Sequence, residues 1–210
     1  MTQIKICGIK TLPDALAAIA AGADYLGFNF YPKSVRFVEK FACAEITSAL
    51  KREHPQIKLV GVFVNSSVEE VKDIMKTCSL DLAQLHGDEP LETLASFNGK
   101  AFKAFRGIPE SADEFARSVP PAFLLDASVK GVYGGSGVTA DWQGAAELAK
   151  KYPLLLAGGL TPENVAEAVR RVKPWGVDVA SGVESAPGEK EAGKMVQFVK
   201  AVRASQSSDQ

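Results

Sequence analysis

The chain has 210 residues, with 24 lysines and arginines against 25 aspartates and glutamates, a net charge of −1, 46% hydrophobic residues and 23% charged ones. These are the proportions of a globular chain able to bury its own core, and they exclude a partner held by bulk charge such as nucleic acid. Any anionic ligand must be captured locally. Cys7, Cys43 and Cys78 form no CxxC pair and leave one cysteine over, which argues against a disulfide framework and a zinc site. The opening MTQIKICGIK mixes charge with apolar residues and is unlike a signal peptide, and no apolar run reaches membrane-spanning length. The expectation is a reduced, cytoplasmic protein with no membrane or nucleic-acid partner.

Along the chain, short β-rich runs alternate with amphipathic stretches. QIKIC (3–7) is the first strand, and TLPDALAAIAAGAD follows as a helix over 13–21 with Thr11 as cap, Pro13 in the first turn and Gly22 as stop. A strand at 24–30 leads through the loop YPKSVRF (31–37) to a helix at 43–53. The strand KLVGVFV (58–64) precedes NSSVEEV, where Ser66 and Glu69 have the spacing of a capping box for a helix at 67–77. Further strands are predicted at 82–86, 101–106, 122–127, 153–158 and 176–181, and further helices at 90–97, 110–118, 141–151, 162–172 and 190–203. Thr161 and Pro162 mark the start of the helix at 162–172, and Pro174 its end.

Eight strand–helix units need a parallel sheet with helices outside, and eight favour closure, so the fold class is α/β, a (β/α)8 TIM barrel. No linker or composition break divides the chain. The expectation is a single barrel domain over 1–203 with a polar tail at 204–210.

Side chains alternate along a strand, so parity sorts them. Ile4 and Ile6 share one face of the first strand and suit the helix layer, leaving Lys5 and Cys7 pointing inward. The same parity puts Gln84 and His86 on one face, Leu124 and Asp126 on one face, and Asp178 and Ala180 on one face. A purely structural barrel would fill such places with Val, Ile and Leu. Taken alone, Cys7 reads as a small buried hydrophobe, Asp126 as a turn residue and His86 as the start of a turn. The joint placement of Cys7 and Asp126 at strand ends points instead to a site. An inward ammonium needs a partner, and Lys5 is predicted to pair with Asp178 across the seam between strands eight and one. Cys43 and Cys78 fall on helices two and three as packing residues.

Glycine clusters follow the late strands: YGGSG (133–137), AGGL (157–160) and ASGVE (180–184). Barrels often bind phosphate with the loops after strands seven and eight, where glycines let backbone N–H groups approach an anion. Gly158, Gly159, Ser181 and Gly182 are the candidate phosphate grip, and SGVESAPG has room for a short helix before Pro187. Arg36, among aromatics, suits two-pronged binding of a planar carboxylate. The glycine-rich stretch 128–138 suits a lid.

The runs KICGI, GFNFYPKSVR, VGVFVN, QLHGDE, LLDA, GGSG, LAGGLTPENV and GVDVASGVE occur in the order found in phosphoribosylanthranilate isomerases, and the chain resembles that family from residue 5 to about 198. Ser136 stands where the family usually has Thr, and Glu191 where it often has Asp. The resemblance implies an Amadori rearrangement of a phosphorylated aminoaldose to an aminoketose in tryptophan biosynthesis, with no cofactor or metal, by a monomer or homodimer. It implies Cys7 as general base, Asp126 as general acid, Arg36 beside the anthranilate carboxylate, and the glycine loops as phosphate grip. Gln84, His86 and Asp178 are expected to touch substrate. The alternatives are a non-catalytic phosphate-binding barrel and another phosphosugar isomerase. The histidine-pathway isomerase uses carboxylates for both proton transfers, so Cys7 argues against it.

Overall fold

The computed structural model describes residues 1–115, 117, 119–127 and 141–206. Within it β1 (Gln3–Cys7), β2 (Tyr25–Asn29), β3 (Lys58–Phe63), β4 (Leu82–Leu85), β5 (Ala101–Arg106), β6 (Leu124–Asp126), β7 (Leu155–Ala157) and β8 (Gly176–Val179) form a closed barrel in sequence order. All neighbours are parallel, and β1 closes on β8 with Lys5 opposite Asp178. The intervening helices are α1 (Leu12–Ala21), α2 (Lys40–Glu53), α3 (Val68–Thr77), α4 (Leu91–Ala95), α5 (Ala112–Phe115), α6 (Trp142–Ala149), α7 (Val165–Val172) and α8 (Ala192–Ala204). The expected TIM barrel is therefore the observed one.

Period-two alternation divides the apolar residues into two clusters. Ile4, Ile6, Leu26, Phe28, Leu125 and Val177 pack outward against the helix layer, within one continuous core. Val60, Phe102, Ala104, Leu124, Leu155 and Ala157 fill the barrel interior, with Tyr25, Leu82 and Trp175 beneath them. The interior plug is thus complete below, and the polar inward residues lie at the strand C-termini above it.

Helix starts follow the capping chemistry with small register differences. Thr11 Oγ1 accepts from Asp14 N, and Gly22 ends α1 at φ 105°, a left-handed conformation that glycine adopts without strain. The cap of α3 is Ser67, not Ser66: its Oγ accepts from Glu70 N at 3.1 Å. Both serines have a glutamate three residues on, and the helix takes the later pair. Thr161 and Pro162 open a turn rather than α7, which begins at Val165 after Asn164. The Asn164 side chain accepts from Thr161 N and donates to Gly159 O, so this segment serves the preceding loop before the helix starts. The short helix expected before Pro187 is a single 3₁₀ turn, Ser181–Val183, followed by an antiparallel hairpin of β9 (Glu184–Ala186) and β10 (Glu189–Lys190). At the other end α8 runs through Ala204 and Ser205 is buried, so the part of the expected tail that is described is packed. The proposed lid at 128–138, with YGGSG and Ser136, lies outside the described residues.

Phe102 is fully buried at the centre of the interior plug. Phe102→Ala is expected to destabilise the protein by about 3–5 kcal/mol, read as a lowered midpoint in urea with an unchanged slope.

Candidate active site

A cavity of about 250 Å³ opens at the C-terminal ends of the strands. Cys7, Arg36, Gln84, His86, Asp126 and Asp178 line it, together with Gly158, Gly159 and Ser181. Gly182 stands behind that wall: a Cβ there would lie 1.9 Å from Leu160 O, so the turn after β8 rests directly on the loop after β7. Gly158 and Gly159 both have positive φ, 100° and 64°, which turns their backbone in a way an L side chain resists. Asn29 also lines the cavity and was missed by sequence reasoning.

At the seam of the barrel, Lys5 Nζ is 2.8 Å from Asp178 Oδ1, and the lysine is fully buried. The pairing expected from strand parity is present. Gly27 on β2 makes room for it: a Cβ there would sit 2.7 Å from Cys7 Sγ and 3.1 Å from Lys5 Nζ. The thiol and the ammonium therefore converge over the same bare backbone. Burial pulls the Lys5 ammonium toward deprotonation, but Asp178 and Cys7 facing it outweigh burial and hold its pKa above the usual lysine value. Burial pushes the Cys7 thiol up, while the Lys5 and Lys190 ammonium groups pull it down and Asp178 adds to the rise. The balance favours the neutral thiol, with two cations placed to stabilise the thiolate.

Arg36 is set by its loop. Asn29 Oδ1 accepts from Tyr31 N, Asn29 Nδ2 donates to Ser34 Oγ, and Ser34 Oγ accepts from Arg36 N. Gly8, at φ 82°, leaves space for the arginine stem, since a Cβ there would meet Arg36 Cδ at 2.6 Å. The guanidinium makes a two-pronged pair with Glu184, Nε to Oε1 and Nη2 to Oε2, each 2.7 Å. A protein carboxylate thus takes the geometry foreseen for a substrate carboxylate, on one edge of the guanidinium. Glu184 also accepts from Lys190 Nζ at 2.7 Å and from Gly188 N at 3.1 Å, and Lys190 Nζ donates to Ala180 O at 2.9 Å. Burial works against the Glu184 carboxylate, but the bonds from Arg36, Lys190 and Gly188 prevail and hold its pKa at about 2. Glu184 and Lys190 were not assigned roles from sequence; the only signal was a turn, PG, flanked by opposite charges in ESAPGEK.

The end of β4 is held by a second buried pair. Lys103 Nζ bonds Glu89 Oε2 at 2.7 Å and Gly87 O at 2.8 Å, while Glu89 Oε1 accepts from Asn65 N. This fixes the HGDE loop and with it His86, whose backbone N–H bonds Phe63 O. Burial and the nearby Arg106 cation push His86 below the ordinary histidine pKa, against the opposing pull of Asp126 and Asp178, so its imidazole is neutral near pH 7. Asp126 ends β6 at the cavity, with Arg106 of β5 as its register partner and Gly107 N donating to its carbonyl. Cys43 and Cys78 are buried under the helices, away from the cavity lining. Among the described residues no cluster of three or more His, Cys, Asp or Glu side chains is placed to hold a metal ion. None of the described helices is long and apolar enough to cross a membrane.

The turns after β7 and β8 thus face the same cavity as Cys7 and Asp126. The family model of N-(5'phosphoribosyl)anthranilate (PRA) isomerase matches residues 4–201. This chain belongs to that family. The N-(5'-phosphoribosyl)anthranilate isomerase of Magnetococcus marinus is 49% identical over 208 residues, covering 97% of this chain and 96% of the relative. The phosphoribosyl anthranilate isomerase structure from Thermotoga maritima superposes with a TM-score of 0.86 at 37% identity, covering 97% of this chain and all of that one. A family member in complex with reduced 1-(o-carboxyphenylamino)-1-deoxyribulose 5-phosphate gives a TM-score of 0.83 at 34% identity, covering 97% and 100% of the two chains.

The Glu184 pairings predict a defined acid sensitivity. A carboxylate whose pKa is about 2 when folded and near 4.5 when unfolded stabilises the fold above pH 4.5 and loses that contribution as pH falls toward 2. The stability difference between the wild type and Glu184→Gln, on the order of 3 kcal/mol at pH 7, is expected to shrink across that window in urea titrations at stepped pH.

Proposed function

We propose how this chain performs the isomerisation of its family, the conversion of N-(5-phosphoribosyl)anthranilate to 1-(2-carboxyphenylamino)-1-deoxyribulose 5-phosphate in tryptophan biosynthesis. The observation that carries the proposal is the convergence of Cys7, Asp126 and the glycine turns after β7 and β8 on one cavity. The substrate phosphate sits against Gly158, Gly159 and Ser181, with Gly182 packed behind them, where left-handed glycines and the 3₁₀ turn present backbone without side-chain obstruction. Asp126 donates a proton to the ribose ring oxygen as the C1–O bond breaks. The nitrogen lone pair moves into a C1=N bond, giving an iminium ion. Cys7, as thiolate, removes the C2 proton, and the electrons of that bond form C1=C2 while the nitrogen regains its pair. The resulting enolamine tautomerises to the ketone by losing the C2 hydroxyl proton and gaining one at C1. No electrons enter or leave, so the chemistry needs only proton transfer.

Electrostatics favour these roles. The substrate brings two anionic groups to a cavity lined by Arg36, with the Arg106 cation acting on His86 from behind the lining, and the thiolate it requires feels the Lys5 and Lys190 cations. In this reading Glu184 occupies one edge of the Arg36 guanidinium and aims the other at the anthranilate carboxylate, so the arginine is held in place before substrate arrives. Gln84, His86 and Asp178 complete the substrate contacts. The chain acts as a single barrel domain that includes Ser205, in the cytoplasm, on this small phosphorylated substrate. A barrel that binds phosphate without catalysis would have no use for a buried thiol facing a carboxyl across the mouth.

The test follows the loss of anthranilate-type fluorescence on mixing enzyme with substrate. Cys7→Ala and Asp126→Asn are each expected to lower kcat by about 10²–10⁴-fold while substrate still binds. Turnover within a few-fold of wild type in either variant would remove that residue from the mechanism.

A further inference from the structure

A second cavity, of about 340 Å³, lies on the outside of the barrel between the end of α3 and the turn from α4 into β5. It shares no lining residue with the active-site cavity. Of its lining, Lys100 immediately precedes β5 and Leu80 lies just before β4, so it opens at the N-terminal ends of the strands, on the face away from the active site. Its floor is apolar: Leu80 and Phe97 are buried, and Met75 is half-buried. Its rim carries three exposed ammonium groups, on Lys72, Lys76 and Lys100, and no carboxylate. Lys72 Nζ stands 5.9 Å from the centre of the Phe97 ring, a cation–π contact that keeps one charge over the floor. Ser96 and Asn98 add neutral hydrogen-bonding groups at the edge.

Among the described residues these three ammonium groups have no ion-pair or hydrogen-bond partner. The carboxylates of the neighbouring elements are committed elsewhere, Asp73 to Lys40, and Asp81 to Lys51 and the Leu59 amide. Glu69, Glu70 and Glu92 lie in the first turns of α3 and α4, away from the ends that form the cavity. A cation near a helix C-terminus is ordinarily favourable, which accounts for Lys76 in the last turn of α3. It does not account for Lys72, a turn earlier, or for Lys100 beyond the left-handed turn at Asn98 and Gly99. On a chain whose net charge is −1, this is a local surplus of positive charge over an apolar floor. A small inorganic anion would meet only exposed, well-hydrated lysines, and such pairs are worth little. An anion with an apolar body gains from covering Met75, Leu80 and Phe97, and by excluding water it strengthens its own contacts with the ammonium groups. We propose that this cavity is a binding site for an organic anion that joins a ring-sized apolar body to a doubly charged group. Its place on the opposite face lets it be filled while the active site turns over.

The experiment titrates phenyl phosphate, doubly charged above about pH 7, and inorganic phosphate into isotope-labelled protein and follows the backbone amide resonances. Phosphate can also enter the active-site cavity, and Gly158 and Gly159 report that event separately from Phe97, Asn98 and Lys100. In the wild type, phenyl phosphate is expected to shift Phe97, Asn98 and Lys100 saturably with a Kd on the order of 1 mM, and inorganic phosphate to bind there at least about 5-fold more weakly. Lys72→Gln/Lys76→Gln/Lys100→Gln is expected to weaken phenyl phosphate at this site by about 10-fold or more, while the response of Gly158 and Gly159 stays as in the wild type. No saturable shift of Phe97, Asn98 and Lys100 up to about 20 mM, or equal affinity for the two anions, would overturn the proposal. So would undiminished binding by the triple variant. The comparison of the two anions on the wild type decides alone should the variant fail to fold.

Discussion

The ion pair of Lys5 with Asp178 is the constraint on which the site depends. It lies at the seam where β1 meets β8, so the contact that closes the barrel also sets the charge beneath the cavity. An ammonium and a carboxylate in such a place cost several kcal/mol each in lost hydration, which only good geometry and further partners offset. At 2.8 Å the geometry is good, and the further partner of Lys5 is the Cys7 thiol, on the same strand face. Replacing the pair by apolar residues would serve a barrel that only had to be stable. Its presence gives Cys7 a fixed positive neighbour in a place where burial alone would suppress ionisation.

A second network continues outward from that centre. Lys190 bonds the carbonyl of Ala180 just after β8 and the carboxylate of Glu184, and Glu184 in turn holds Arg36. Arg36 comes from the loop after β2, so one buried carboxylate links the two sides of the β1 end. The glycines of the site act in the same scheme by absence. Gly27 leaves room for thiol and ammonium, Gly8 for the arginine stem, and Gly182 lets the turn after β8 rest on Leu160. Cation, carboxylate and missing side chain together determine what the cavity can hold.

Much of this was legible in the residues. Strand parity placed Cys7, Gln84, Asp126 and Asp178 on the inward side and foretold the Lys5–Asp178 contact, because period-two alternation survives any detail of packing. Glycine pairs after the late strands marked the turns now seen at Gly158, Gly159 and Ser181. What parity cannot reach is a residue outside the strands. Glu184 and Lys190 sit on a hairpin whose place depends on Arg36, 148 residues away in sequence from Glu184, and no local pattern encodes that pairing. The doubled serines and glutamates of SSVEE likewise admit two cap registers, and Thr161–Pro162 reads as a helix start although the backbone first turns to serve Gly159. The arginine does take a bidentate carboxylate partner, and the one seen belongs to the protein itself.

The central claim is that Lys5, held at the seam by Asp178, favours the Cys7 thiolate against burial, and the titration of the Cys7 thiol addresses it directly. In a Cys43→Ala/Cys78→Ala background, the rate of alkylation by iodoacetamide as a function of pH reports the Cys7 thiolate alone. The account predicts that Lys5→Met moves the midpoint of that profile to higher pH, because a cation is removed and the Asp178 carboxylate is left facing the sulfur. A folded Lys5→Met protein whose midpoint stays in place or moves to lower pH would contradict it.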